Sequence, residues 1–307
     1  MSLGATLGRS LLDVLARPST WPLALLGFLV RGGWLVVIAP VVVVPTPVGL
    51  ANVVAPFLED VAFGRRTGEV IVIGFVAAMV LMGWLIGGGF VAAVAETEGV
   101  RQVAEEEDVA VSDRQVVVRV LAARLLALVP LVIGLAWAAV RLVAVTYREL
   151  TVPSDVAVPI IWRVLLSAPE AVVIVMVTFL ASEMVGAVAS RRIVVVGQAP
   201  LPALRAGANR LRANLGRMLV LALATNGVVL AVLLTTGLAA TAMWGALGDA
   251  LGLGDVSLLT TVLLVGFVGL FLGGLVLIGL ACAWRAAVWT VDAAGTFGGV
   301  GDTRSSG

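Results

Sequence analysis

Apolar residues run through the chain in six long stretches separated by short polar segments. The stretches cover Trp21–Val44, Val70–Val94, Leu125–Val140 with its flanks, Val158–Ala189, Met218–Trp244 and Leu258–Trp284. About 20 predominantly apolar helical residues cross the hydrocarbon core of a bilayer. The pattern therefore predicts an all-α integral membrane protein with six transmembrane helices, at 20–44, 69–95, 117–146, 158–189, 216–244 and 257–290. Residues 1–296 make one transmembrane domain, and 297–307 a disordered cytoplasmic tail.

Three segments between the spans carry patterns of their own. Leu201–Leu215 sets Leu201, Leu204, Ala208, Leu211 and Leu215 at helical spacing against Arg205, Arg210 and Arg212. That is the arrangement of an amphipathic helix lying on an anionic leaflet, and Arg217 extends its basic face. A plain lead-in to the fifth span accounts for the same spacing, so both readings stand. Ser2–Ala16 repeats the pattern more weakly before the first span. Gly49–Phe63, bounded by Pro45 and Pro47 on one side and Gly64-Arg65-Arg66 on the other, is apolar enough to lie on the outer surface or dip into it.

Composition agrees with the membrane reading. Of 307 residues 61% are hydrophobic and 13% charged, and the mean hydropathy is +1.12, far from the balance of soluble domains. All 20 basic residues are Arg, and there is no Lys or His. Such usage fits a GC-rich genome and hence a bacterial plasma membrane. The single Cys282 sits in the last span as a small packing residue. Arg9 and Arg17 precede an apolar run too long for a signal peptide, so Trp21–Val44 is read as a retained span. Across the alternating loops 14 arginines fall on the side of the termini and 4 on the other. The positive-inside rule then places both termini in the cytoplasm.

An internal echo groups the spans. Val91–Ala95, Val185–Ala189 and Arg285–Trp289 superpose at the ends of the even spans, and Arg124–Leu128 matches Arg217–Leu221 in the odd ones. Three pseudo-repeated helical hairpins follow. Small residues four apart recur in each even span, at Gly83 and Gly87, at Ser182, Gly186 and Ser190, and at Gly269 and Gly273. Such spacing lets helix backbones approach closely in lipid, so the even helices are expected to be the inner ones.

Charges inside the spans are the candidates for chemistry, because they are costly there and usually face the bundle interior. Arg31, in Arg31-Gly32-Gly33, and Glu170, after Pro169, both fall near the midplane on a 1.5 Å rise per residue. They form a candidate midplane pair that either binds and gates or simply fixes packing. Glu183 and Arg285 form a candidate pair at the inner ends, while Arg141 and Arg163 are expected to snorkel to the outer interface. Without His, a rhomboid-like Ser–His protease, a histidine-dependent lipid phosphatase and a His-liganded intramembrane metalloprotease are excluded. No Walker or dinucleotide glycine motif occurs, and Gly87-Gly88-Gly89 is a packing run. The acidic run Glu105–Asp108 reads as a solvated face.

The basic lead-in Arg205–Arg217 before Met218 and the small-residue ending Val185–Ser190 give a layout over roughly Leu7–Asp292. It resembles the six-helix membrane domain that in some bacteria is fused to glycerophosphodiester phosphodiesterases and otherwise stands alone. The resemblance implies a membrane module without the hydrolase. The layout is also similar to that of mitochondrial carriers, but their Pro-x-acid-x-x-base signature has no counterpart at the end of any odd span. Two functions are expected from these features. One is a non-enzymatic accessory or scaffolding module that meets anionic lipid at its cytoplasmic face, with a membrane-protein neighbour or a second copy as partner. The other is a small-solute or lipid transporter using Arg31 and Glu170. No cofactor, metal or nucleic acid is expected in either.

Overall fold

A computed structural model describes residues 2–42, 60, 64, 67–106, 116–152, 154–155, 157–252 and 258–297. The Gly49–Phe63 segment, apart from Asp60, lies outside the described residues, as do Glu107, Asp108 and the tail from 298.

The described regular structure is helical throughout. Helix α1 spans Leu3–Ala16, α2 Thr20–Phe28, α3 Trp34–Ile38, α4 Thr67–Glu106, α5 Val116–Ala127 and α6 Val129–Thr151. Then come α7 Ile160–Ser167, α8 Pro169–Val196, α9 Pro200–Ala213, α10 Leu215–Gly252 and α11 Leu258–Phe297. Among the described residues six helical segments are long and apolar enough to cross a membrane, namely Thr20–Ile38, Thr67–Ala104, Val116–Thr151, Pro169–Val196, Leu215–Leu251 and Leu258–Ala294.

Local sequence explains where these helices break. A π-helical turn, Leu29–Gly33, joins α2 to α3, and Gly32 within it takes φ 104°, a backbone setting that glycine enters without steric cost. The expected fourth span, 158–189, is two helices. Pro169 has no N–H to donate and drives the residue before it out of the helical region, so Ala168 turns the chain with φ −138° and ψ 53°. Glu170 is thereby a first-turn residue of α8, just after the break, and not a mid-helix residue of one continuous span. Gly197, at φ 72°, closes α8, and Pro200 opens α9 with a preset φ. The second span runs on to Glu106, through a polar segment after Val94 in which Ala, Glu, Gln and Arg outnumber the poorer helix formers Thr97, Gly99, Val100 and Val103.

The chain divides into two compact units. One comprises 1–16, 97–227 and 284–307, the other 17–96 and 228–283. In the first, Met184, Ala187 and Val188 of α8 pack with Met218, Leu221 and Ala222 of α10 and Val288 and Trp289 of α11, while Leu3 and Leu7 of α1 lie against this cluster. Gly186 lets α5 close in, since a Cβ there would stand 2.8 Å from Arg124 Nη1 and 3.3 Å from Ala127 Cβ. Gly207 of α9 similarly rests on the Val185 carbonyl. In the second unit Val229, Ile278, Ala281 and Cys282 pack with Leu25, Phe28 and Val37. Phe267 meets Trp244 in a tilted contact and stacks on Phe271, with ring centroids 5.1 and 5.9 Å apart.

Small-residue packing falls differently from the expectation. Gly83, Gly87, Gly269 and Gly273 have open space around a would-be Cβ. Their neighbours make the seams: a Cβ on Gly88 would stand 2.8 Å from the Val30 carbonyl oxygen, and one on Gly274 3.2 Å from Thr236 Cβ. Nor are all even helices inner ones. The apolar window of Thr67–Ala104 buries none of its residues, whereas that of α8 buries 33%.

Candidate functional site

Charge in the first unit converges on Asp292, near the end of α11. Its side chain is 3% exposed and accepts from Arg210 Nη2 at 2.6 Å and from Arg217 at 2.9 Å (Nε) and 2.8 Å (Nη2). Arg210 Nη2 also donates to the Asp292 carbonyl at 3.1 Å. Hydrogen bonds between ionised groups are short and roughly twice as strong as neutral ones. Burial pulls the Arg210 guanidinium below its usual range; Asp292 raises it again, and the nearby charges of Arg192 and Arg217 lower it. It remains a cation at neutral pH. One carboxylate thus clasps α9 and the start of α10 to α11.

Further guanidiniums stitch the same region. Arg191, 2% exposed, donates to the Ala187 carbonyl, Ser190 Oγ and, across to α11, the Ala286 carbonyl at 3.0 Å. Arg285 donates to Asn226 Oδ1 at 3.0 Å. Arg119 donates to the Gly197 carbonyl that closes α8.

The covered face of helix α1 mixes Thr6 and Ser10 with Leu3, Leu7 and Val14. Thr6 and Ser10 are fully buried with Val14, one turn apart, and Arg217 Nη2 donates to Thr6 Oγ1 at 3.3 Å. Trp284 Nε1 donates to the Leu7 carbonyl. The opposite face presents Leu11, Leu12 and Leu15, with Leu12 68% exposed. On α9, Arg205 and Arg212 are exposed.

Arg31 and Glu170 take separate partners. Arg31 Nη2 bonds Glu96 at 2.8 Å, with Glu96 nearly buried, and Arg141 Nε bonds Glu170 at 2.7 Å. Arg31 leaves the break at Gly32 and reaches toward the polar end of α4 because a long side chain can carry its charge away from apolar surroundings. Glu183 faces Arg124 at 3.6 Å and not Arg285. Of the four arginines assigned to anionic lipid, Arg210 and Arg217 are engaged by Asp292, leaving Arg205 and Arg212 outward. A second buried carboxylate, Glu149 at the end of α6, accepts from Ser154 N and Oγ, Ser167 Oγ and Arg163 Nη1, at 3.0, 2.8, 3.3 and 3.4 Å. Sequence reasoning passed over Asp292, Glu96 and Glu149. The signal for Asp292 was an isolated acid directly after the last apolar stretch, opposite an arginine-rich segment.

By class this is an all-helical protein with, among the described residues, six helices long and apolar enough to cross a membrane. Comparison with protein-family models, curated proteins and solved structures finds no match.

Proposed function

We propose that the chain is a non-enzymatic accessory or scaffolding module of a bacterial plasma membrane, with both termini cytoplasmic, that seats its inner face on anionic lipid. The supporting observation is how α1 and α9 are held. Thr6 and Ser10 turn inward while Leu11, Leu12 and Leu15 face out, and Asp292 fixes α9 with Arg205 and Arg212 on its outer side. Exposed leucines suit the acyl boundary and exposed arginines the phosphate layer. Three repeated hairpins fit the same reading, since Gly186 and Gly274 occupy tight helix crossings in two of the even spans.

Each basic residue near an anionic leaflet contributes about 1 kcal/mol. Hydrogen exchange on the full chain in nanodiscs tests this. Protection of α9 amides should rise when phosphatidylglycerol replaces phosphatidylcholine, and Arg205→Gln with Arg212→Gln should remove the rise. Equal protection in the two lipids sinks the proposal.

A second reading, a transporter, draws on the π-helical turn beside Arg31, because broken helices with freed backbone groups are where transporters bind cargo. Glu170 enters that reading apart from Arg31, since it pairs with Arg141 and Arg31 with Glu96. Single cysteines flanking Arg31 in a Cys282→Ala background should react with a water-soluble maleimide if an aqueous path reaches it. Complete protection argues against transport.

A further inference from the structure

Between α6 and α8 runs an open groove of ≈ 670 Å³, lined only by apolar side chains, among them Leu131, Leu135, Leu142, Val172, Met176 and Phe179. From Leu131 to Leu142 it extends about 16 Å along the helix axis. At the Leu142 end stands the Arg141–Glu170 pair, with side chains 45% and 40% exposed. Their 2.7 Å bond uses Nε of Arg141 and one oxygen of Glu170. Among the described residues no other ion pair engages either side chain. A guanidinium has five N–H donors and a carboxylate about four lone-pair sites, so both retain capacity for a ligand.

A long apolar groove ending in a half-exposed cation beside a half-exposed anion is complementary to one kind of molecule. We propose that it holds a phospholipid with a zwitterionic, ammonium-bearing headgroup. The acyl chain lies along Leu135 and Val172, the phosphate takes the terminal Nη groups of Arg141, and the ammonium donates to Glu170. An anionic headgroup gains Arg141 but is repelled by Glu170, and a quaternary ammonium has no N–H to donate. The groove falls within the range of small-molecule sites. The proposal rests on the membrane-spanning reading but not on the anionic-lipid role of α9.

The test is native mass spectrometry of the full chain released from nanodiscs containing equal phosphatidylethanolamine, phosphatidylcholine and phosphatidylglycerol. Wild type should keep one phosphatidylethanolamine in preference to the other two. Glu170→Gln should lower that retention roughly tenfold, the loss of one charge-assisted contact. Val172→Trp, at an exposed position, should fill the groove and abolish the adduct while circular dichroism stays wild-type. Arg205→Gln with Arg212→Gln should leave the adduct in place, which separates this site from the α9 surface. Equal retention of phosphatidylglycerol, indifference to Glu170→Gln, or a lipid-free dimer with a second copy in the groove would each overturn the proposal.

Discussion

Replacing Asp292 by Ala removes the one carboxylate on which Arg210 and Arg217 converge. Arg210's side chain is 13% exposed and Arg217's 33%. Taking one partner from a buried ion pair costs about 3–5 kcal/mol, because the remaining charge is left desolvated. The part owed to Arg217 is screened by its exposure, so the expected loss is near the low end, about 3 kcal/mol. Asp292→Asn, which keeps an acceptor and loses the charge, should cost roughly half as much. Reversible unfolding in mixed detergent micelles, followed by far-ultraviolet circular dichroism, gives these values. The decisive measurement is the cycle with Arg210→Gln and Arg217→Gln together. In that background Asp292→Ala should cost less than 1 kcal/mol, since no stranded guanidinium is left to penalise. If Asp292→Ala costs the same with and without the arginines, the clasp is not what holds α9, α10 and α11 together and the reasoning fails.

Two further outcomes follow from packing and burial. Gly88→Ala should destabilise by about 1–3 kcal/mol, because its Cβ meets the Val30 carbonyl, which cannot rotate away. Gly83→Ala, into open space, should be neutral or stabilise by up to about 1 kcal/mol through helix propensity; thermal unfolding of the pair checks the contrast, and equal effects would refute it. Glu149→Gln leaves a neutral amide at a site 1% exposed and facing Arg163. Faster hydrogen exchange throughout α7, with α8 unchanged, is the expected result, and unaltered exchange in α7 would show that Glu149 does not anchor it.

The six apolar stretches were legible because spanning helices need length and hydrophobicity, both of which are read directly from the chain. Pro169 was equally visible, yet the apolar residues on either side of it masked a helix break that backbone sterics require. Pairing was harder to see. Arg31, Glu170, Glu183 and Arg285 stood out as charges in apolar surroundings, but their partners depend on helix register and side-chain reach. Spacing alone also left open which glycine meets a neighbour. Gly87 and Gly88 point about 100° apart around one helix, and only the rotation of α4 selects Gly88. The covered face of α1 mixes Thr6 and Ser10 with Leu3, Leu7 and Val14 while Leu11, Leu12 and Leu15 are exposed, so a modest amphipathic pattern marked the helix without saying which side would be covered.

The Arg124–Glu183 and Arg141–Glu170 pairs bracket a charge-free stretch of α8 about 20 Å long. This is shorter than the hydrocarbon of an ordinary bilayer, about 30 Å. Sliding α5 and α6 together against α8 by one turn would break both pairs at once, so the pairs hold the three helices at one register. On the membrane-spanning reading the lipid would therefore adapt, by thinning around this flank, at a fraction of a kcal/mol for each ångström of mismatch. Held at that gauge in a bilayer, the protein would gather where the membrane is thin and draw shorter-chained lipids to its side.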